Sequence, residues 1–208
     1  VRIEFYAAIK TAEPFLPAGT VIAREQTYVH TFYKKEATAQ QPATSKEEGN
    51  LVAFSGPDFK ATFDKQSGLL TSYLYKKHEY ILNGQGPRPF FWRAPTDNDY
   101  GANLPVRLKA WKEASYQEPK AESFQVTPGS NATTIKVTYR FPQTDARWDI
   151  TYKIYASGVI KVDNRFVAEG DQAPMIPRVG LRMQLPESFT DLTYYGRGPK
   201  ENYRDRRT

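Results

Sequence analysis

The sequence contains no cysteine, which excludes disulfide bridges and thiolate metal sites and leaves packing alone to hold the fold. Histidine is nearly absent too, with only His30 and His78 present. Neither stands beside an Asp, Glu or Ser pattern of the kind a catalytic triad or a metal centre requires, so histidine chemistry is set aside. No apolar run approaches the ~18 residues of a membrane span. The first residues, Val1-Arg2-Ile3-Glu4-Phe5, alternate like a strand and not like a signal peptide. That opening and the missing initiator methionine point to a segment of a longer polypeptide. Strand–helix alternation is also lacking, which argues against a dinucleotide-binding fold or a parallel barrel.

Aromatic residues are what the chain has in quantity. Its 208 residues include 14 Tyr, 12 Phe and 3 Trp against 2 Met, a supply suited to pleated surfaces. A chain of this length buries roughly 70% of its unfolded surface, so a sizeable core is expected. Lys and Arg number 29 and Asp and Glu 23, leaving a net charge of +6. The basic residues are scattered through strand-like segments, and the dense run Arg204-Asp205-Arg206-Arg207 carries its own acid, with Glu201 close by. Without a helix-turn-helix or RNA-recognition signature, this reads as a solvated basic surface with no nucleic-acid partner.

Residues 2–9 and 21–32 read as strands separated by Glu13-Pro14-Phe15-Leu16-Pro17-Ala18-Gly19, whose prolines and glycine enforce a loop. Residues 34–50 hold almost nothing apolar and read as a linker, which places a boundary near residue 46 and two segments at 1–45 and 46–208. Beyond it Phe59, Ala61 and Phe63 alternate, Asp64-Lys65-Gln66-Ser67-Gly68 turns, and Leu70, Ser72 and Leu74 alternate again, predicting a hairpin. The same period of two recurs in Ile135, Val137, Tyr139 and Phe141, and in Trp148, Ile150, Tyr152 and Ile154. After the turn Ala156-Ser157-Gly158 it continues in Ile160, Val162, Asn164 and Phe166. Consecutive runs of this kind predict an all-β fold of antiparallel sheets packed face to face. One short helix is expected over residues 104–116, where Leu104, Leu108 and Trp111 repeat at helical spacing.

Two dense clusters could carry chemistry. In Phe90-Phe91-Trp92-Arg93-Ala94-Pro95-Thr96-Asp97-Asn98-Asp99-Tyr100-Gly101, three aromatics run into an arginine, a proline turn and short polar side chains. This is either a self-satisfied loop with Arg93 paired to Asp97 or Asp99, or a ligand loop in which aromatic faces stack on sugar rings and polar groups bind hydroxyls. Asp97 and Asp99 do not make a glycosidase pair, because such carboxylates lie about 5–9.5 Å apart across a sugar, on separate elements. A hard cation on Asp97, Asn98 and Asp99 is a weak alternative, since the alternation and distal Glu of a calcium loop are missing. The second cluster runs from Tyr194 to Arg206. Its Gly196 and Gly198 lack the Gly-Lys-Ser/Thr of a phosphate loop, so it reads as a tight turn presenting Glu201, Asn202 and Tyr203. The sequon Asn131-Ala132-Thr133 is short enough to arise by chance and is given no role.

The runs Phe91-Trp92-Arg93-Ala94-Pro95-Thr96-Asp97-Asn98-Asp99 and Tyr195-Gly196-Arg197-Gly198-Pro199-Lys200-Glu201-Asn202-Tyr203-Arg204-Asp205-Arg206 closely resemble two signature runs in the C-terminal domain of large bacterial β-galactosidases, glycoside hydrolase family 2. Between them Ile176-Pro177-Arg178-Val179-Gly180-Leu181 also looks like that domain. Leu16-Pro17-Ala18-Gly19 and Ala23-Arg24-Glu25-Gln26 look like the end of the β-sandwich before it. The resemblance implies an antiparallel β-supersandwich of the galactose-mutarotase-like kind, incomplete here and preceded by part of an immunoglobulin-like sandwich. It also implies a retaining mechanism whose two catalytic glutamates belong to a central barrel with no counterpart in this chain. A late tryptophan that contacts sugar in such enzymes would fall after Thr208.

On this resemblance the chain is a non-catalytic accessory region whose partners are the other domains of its parent, a homo-oligomeric enzyme of the cytoplasm or periplasm acting on β-galactosides. The parent family's Mg and Na belong mostly to the barrel, and no cofactor is expected in this region. Trp92, Arg93, Asp97, Asn98, Asp99, Glu201, Asn202, Tyr203 and Arg206 are then the sugar-facing or domain-organising residues. Mutarotase activity is not expected, because neither histidine lies in a motif matching its acid–base pair. A free-standing carbohydrate-binding module with Trp92, Arg93, Asp97, Asn98 and Asp99 as its contact loop is the alternative.

Overall fold

The computed structural model describes residues 2–28, 42–170 and 175–192. The chain divides into two compact units, Thr38–Thr190 and Val1–Ala37 with Asp191–Thr208. In the smaller unit β1 (Arg2–Ala8) pairs antiparallel with β2 (Val21–Tyr28), as the alternation at 2–9 and 21–32 predicts. Residues 29–41, with His30 and the first part of the expected linker, lie outside the described residues.

The larger unit is all-β in its core. Its first sheet is the antiparallel meander β3 (Thr44–Glu48), β4 (Leu51–Ser55), β5 (Phe59–Asp64), β6 (Leu70–Tyr75) and β7 (His78–Glu79). There follow a short strand β8 (Arg88–Phe90) and three short helices, α1 (Asp97–Gly101), α2 (Leu104–Arg107) and α3 (Lys109–Tyr116). A second antiparallel sheet has β9 (Ser123–Thr127) and β12 (Ile160–Ala168) at its edges and β10 (Ala132–Phe141) and β11 (Ala146–Tyr155) between them. Finally β13 (Gly180–Arg182) returns to pair with β8.

Period-two burial builds the core between the two sheets. Val52, Phe54, Phe59, Ala61 and Phe63 of the first and Ile135, Val137, Tyr139, Ile150, Tyr152 and Ile154 of the second are all buried. The layers meet at Phe63, whose ring lies 5.0 Å from that of Tyr152 and 6.4 Å from that of Phe124. β10 and β11 are ten residues long, whereas β4, β5 and β6 have five or six, so one end of the second sheet outruns the first. Phe91 and Trp111 cover that surplus end, and the site is built there.

Three expectations are corrected. Leu70, Ser72 and Leu74 do not share the buried face. Phe63 opposes Leu70 and Thr62 opposes Ser72, so Thr71 is an extra residue, a bulge. One added residue inverts every side chain beyond it, which turns Tyr73 and Tyr75 toward the core and leaves Leu74 exposed. The polar stretch assigned to a linker ends earlier than residue 50, because Thr44–Glu48 is an edge strand whose five side chains are all exposed. Backbone pairing to β4 holds it, and its Lys and Glu suit an edge that must not recruit further strands. The single helix expected over residues 104–116 is two, broken at Leu108 (φ −109°, ψ 21°), with Pro105 in the first turn of α2.

The β6–β7 hairpin is closed by Glu79. Its carboxylate accepts the Ser72 hydroxyl (2.5 Å) and the backbone N–H groups of Tyr73 (2.8 Å), Ile81 (2.9 Å) and Tyr80 (3.0 Å). Burial alone would raise its pKa, but these four donors outweigh it and hold the carboxyl below its ordinary value. A carboxyl whose folded pKa lies below its unfolded value adds stability above the unfolded pKa of about 4.3. That contribution is lost as pH falls through the folded value. Glu79→Gln is therefore expected to flatten the decline in urea midpoint between neutral pH and about pH 3. An unchanged slope would show that burial cancels the hydrogen bonds.

Candidate functional site

The first motif cluster starts in the core and climbs to the surface. Phe91 is fully buried, and its ring contacts those of Trp111 (4.9 Å), Phe141 (5.1 Å), Trp148 (5.4 Å) and Phe166 (5.8 Å). Its backbone N–H donates to Ser115 Oγ (2.9 Å), which donates in turn to the Trp111 carbonyl (2.7 Å). Trp92 is 7% exposed, with the Lys112 ammonium 5.9 Å from its ring centroid.

After Pro95 the chain enters α1 through a capping box. Thr96 Oγ1 accepts the Asp99 N–H (3.4 Å), and Asp99 Oδ2 accepts the Thr96 N–H (2.8 Å). Arg93 closes the arrangement with both nitrogens of its fork, Nη2 to Asp99 Oδ1 and Nη1 to Asp99 Oδ2, each at 2.8 Å. The Thr96 amide is the main cause holding the Asp99 carboxyl below its usual range, against the opposing effect of burial and with help from the Thr96 hydroxyl and Arg93. Asp97 and Asn98 are exposed on the first turn of α1. Of the two pairings open to Arg93 in the sequence, the structure selects Asp99.

A cleft of about 100 Å³ opens beside this network, lined among others by Trp92, Arg93, Asp99, Leu108, Ile176 and Pro177. The structure thus joins the first motif to the run at 176–181, and β13 of that run pairs with β8 just ahead of the motif. Asp97 and Asn98 are not among the cleft's lining residues. Glu201, Asn202, Tyr203 and Arg206, with the whole second cluster, lie outside the described residues.

Arg88 was not singled out by sequence reasoning. It is buried, donating from Nη1 to Gln85 Oε1 (3.1 Å) and from Nη2 to the Ser115 (3.4 Å) and Gln117 carbonyls at the end of α3. Little in Gln85-Gly86-Pro87-Arg88-Pro89 announces this, because two of the three acceptors are main-chain oxygens nearly thirty residues on. The capping box did have a readable signal, a Thr with an acid three residues later.

The site's chemistry is limited. The Thr96 amide and Arg93 lower the Asp99 pKa, which is the reverse of what a general acid needs. Among the described residues no group of three or more His, Asp or Glu side chains could hold a metal ion. No described helix is long and apolar enough to cross a membrane.

Residues 55–208 match the family described as β-galactosidase small chain. The chain belongs to that family. Among its relatives, a β-galactosidase of Priestia megaterium is 35% identical over 171 residues, covering 82% of this chain and 16% of the relative. One from Clostridium acetobutylicum is 35% identical over 156 residues, covering 74% and 17%. One from Streptococcus thermophilus is 30% identical over 207 residues, covering 98% and 19%. The small-chain region described here therefore spans less than a fifth of the length of these relatives, and its match contains both motif clusters.

Proposed function

We propose that this chain is a non-catalytic C-terminal region of a β-galactosidase of glycoside hydrolase family 2, and that it walls the galactoside pocket of its parent from a galactose-mutarotase-like supersandwich. The hydrolysis itself, by a retaining mechanism, falls to glutamates on a barrel elsewhere in the parent, with any Mg or Na. The remaining domains, and further copies in a homo-oligomer, are its partners.

The observation that carries this reading is the closed Arg93–Asp99–Thr96 network. A carboxylate that already accepts two guanidinium bonds and a backbone amide organises a loop and offers little to a substrate proton or hydroxyl. Trp92, the stacking residue a binding module would need, has too little ring face in solvent to serve as a sugar platform. Arg93, Asp99 and Trp92 are therefore domain-organising residues, and Asp97 and Asn98 are the polar groups left on the surface.

Calorimetric titration of galactose and lactose into the folded chain tests the assignment. The expected result is no saturable heat at millimolar sugar. Saturable binding that is lost in Asp99→Ala would replace the accessory role with that of a carbohydrate-binding module.

A further inference from the structure

A second cleft lies between the β8–β13 ladder and the C-terminal end of α3. It encloses about 360 Å³, within the range of small-molecule pockets, and Asn83, Gln85, Arg88, Glu118, Arg182 and Gln184 supply most of its polar lining. Arg88 and Arg182 are direct cross-strand partners, so both side chains leave the same face of a two-stranded ladder, where like charges repel.

Little in the cleft offsets that charge. Arg88 bonds to neutral oxygens of Gln85, Ser115 and Gln117, which satisfy its donors and leave its charge in place. The carboxylate of Glu118 stands 3.8 Å from it, at the outer limit of an ion pair, on a side chain that is 76% exposed. Beyond its main-chain place in the ladder, the Arg182 guanidinium has no hydrogen-bond or ion-pair partner among the described residues. Its guanidinium instead lies 5.6 Å from the Phe90 ring centroid and 5.8 Å from that of Tyr116. Two rings thus steady the planar group and leave its N–H donors uncommitted. Gln85 adds to this, because its amide oxygen is taken by Arg88 and its NH2 is the half left to donate.

We propose that this cleft binds a small oxyanion, a phosphate or carboxylate group. Arg182 is the principal donor, Arg88 the fixed cation behind it, and the side-chain amides of Gln85 and Asn83 complete the shell. The site accounts for two arginines on one face of a short ladder and for a guanidinium steadied by two rings with no polar partner among the described residues.

The test is calorimetric titration of sodium phosphate, and separately of sodium acetate, into the folded chain at constant ionic strength held with chloride. Saturable one-site heat is expected for at least one of the two, with the association constant falling about tenfold or more in Arg182→Gln. Arg182 is exposed, so the variant is expected to keep the wild-type unfolding midpoint. Saturation by phosphate alone identifies a tetrahedral oxyanion as the ligand, and saturation by acetate alone a carboxylate. Heats no different from chloride for both anions, or binding undiminished in Arg182→Gln, would overturn the proposal.

Discussion

Phe91→Ala is expected to lower the free energy of unfolding by about 3–5 kcal/mol, the cost of deleting a large aromatic from a packed core. The upper part of that range applies because Phe91 sits between layers. Its ring touches Phe141, Trp148 and Phe166 from the second sheet and Trp111 from α3, so no one element can move in to fill the space. The loss would also loosen the segment that carries Trp92 and Arg93, since its main chain is tied to α3 through Ser115. Urea unfolding followed by tryptophan fluorescence measures this. A loss below about 1.5 kcal/mol would mean that the cluster collapses around the gap and that Phe91 is not its centre.

Gly68→Ala should be the next most damaging, by roughly 2–4 kcal/mol, combining backbone strain with overpacking. Gly68 closes the turn between β5 and β6 with φ +75°, and the Asp64 carboxylate accepts the Ser67 N–H (2.6 Å) within the same turn. A Cβ at Gly68 would meet Tyr139 Oη and Val137 Cγ1, each at 2.5 Å. Both residues are buried in the opposite sheet and have nowhere to retreat. Gly19, whose φ is +87°, has open space around its Cβ position and provides the control for strain alone. If Gly68→Ala costs no more than Gly19→Ala, the close approach of the sheets at this turn is wrong.

The contrast between these sites shows which parts of the fold were legible. Alternation read the β10–β11 core correctly from Ile135 to Ile154, because each inward residue there meets a regular partner on the next strand. It failed at Thr71, where one inserted residue changed the face of Tyr73 and Leu74 without altering the local pattern of residue types. β3 was invisible for a different reason: an edge strand held by main-chain bonds needs nothing apolar of its own. The β8–β13 pairing joins segments some ninety residues apart, so composition could not reveal it or the cleft beneath it.

At the site, the residue types of the first motif led to Arg93 and Asp99, and the capping box explains why Asp99 and not Asp97 was the partner. A residue at the third helical position faces back to the cap, whereas one at the first faces solvent. The family was legible because long ordered motifs carry more information than charge or periodicity. In the first motif the Phe91 ring packs in the core and the Arg93–Asp99 ion pair closes the loop above it.

The proposed function requires that this small-chain region carry no catalytic carboxylates for β-galactoside hydrolysis. The direct measurement is hydrolysis of a nitrophenyl β-galactoside by the purified chain, after circular dichroism has confirmed its β-structure. No turnover above the uncatalysed rate is expected from the folded sample. Turnover that survives purification and falls in Asp97→Ala, Asp99→Ala or Glu201→Ala would contradict it and place the chemistry within these 208 residues.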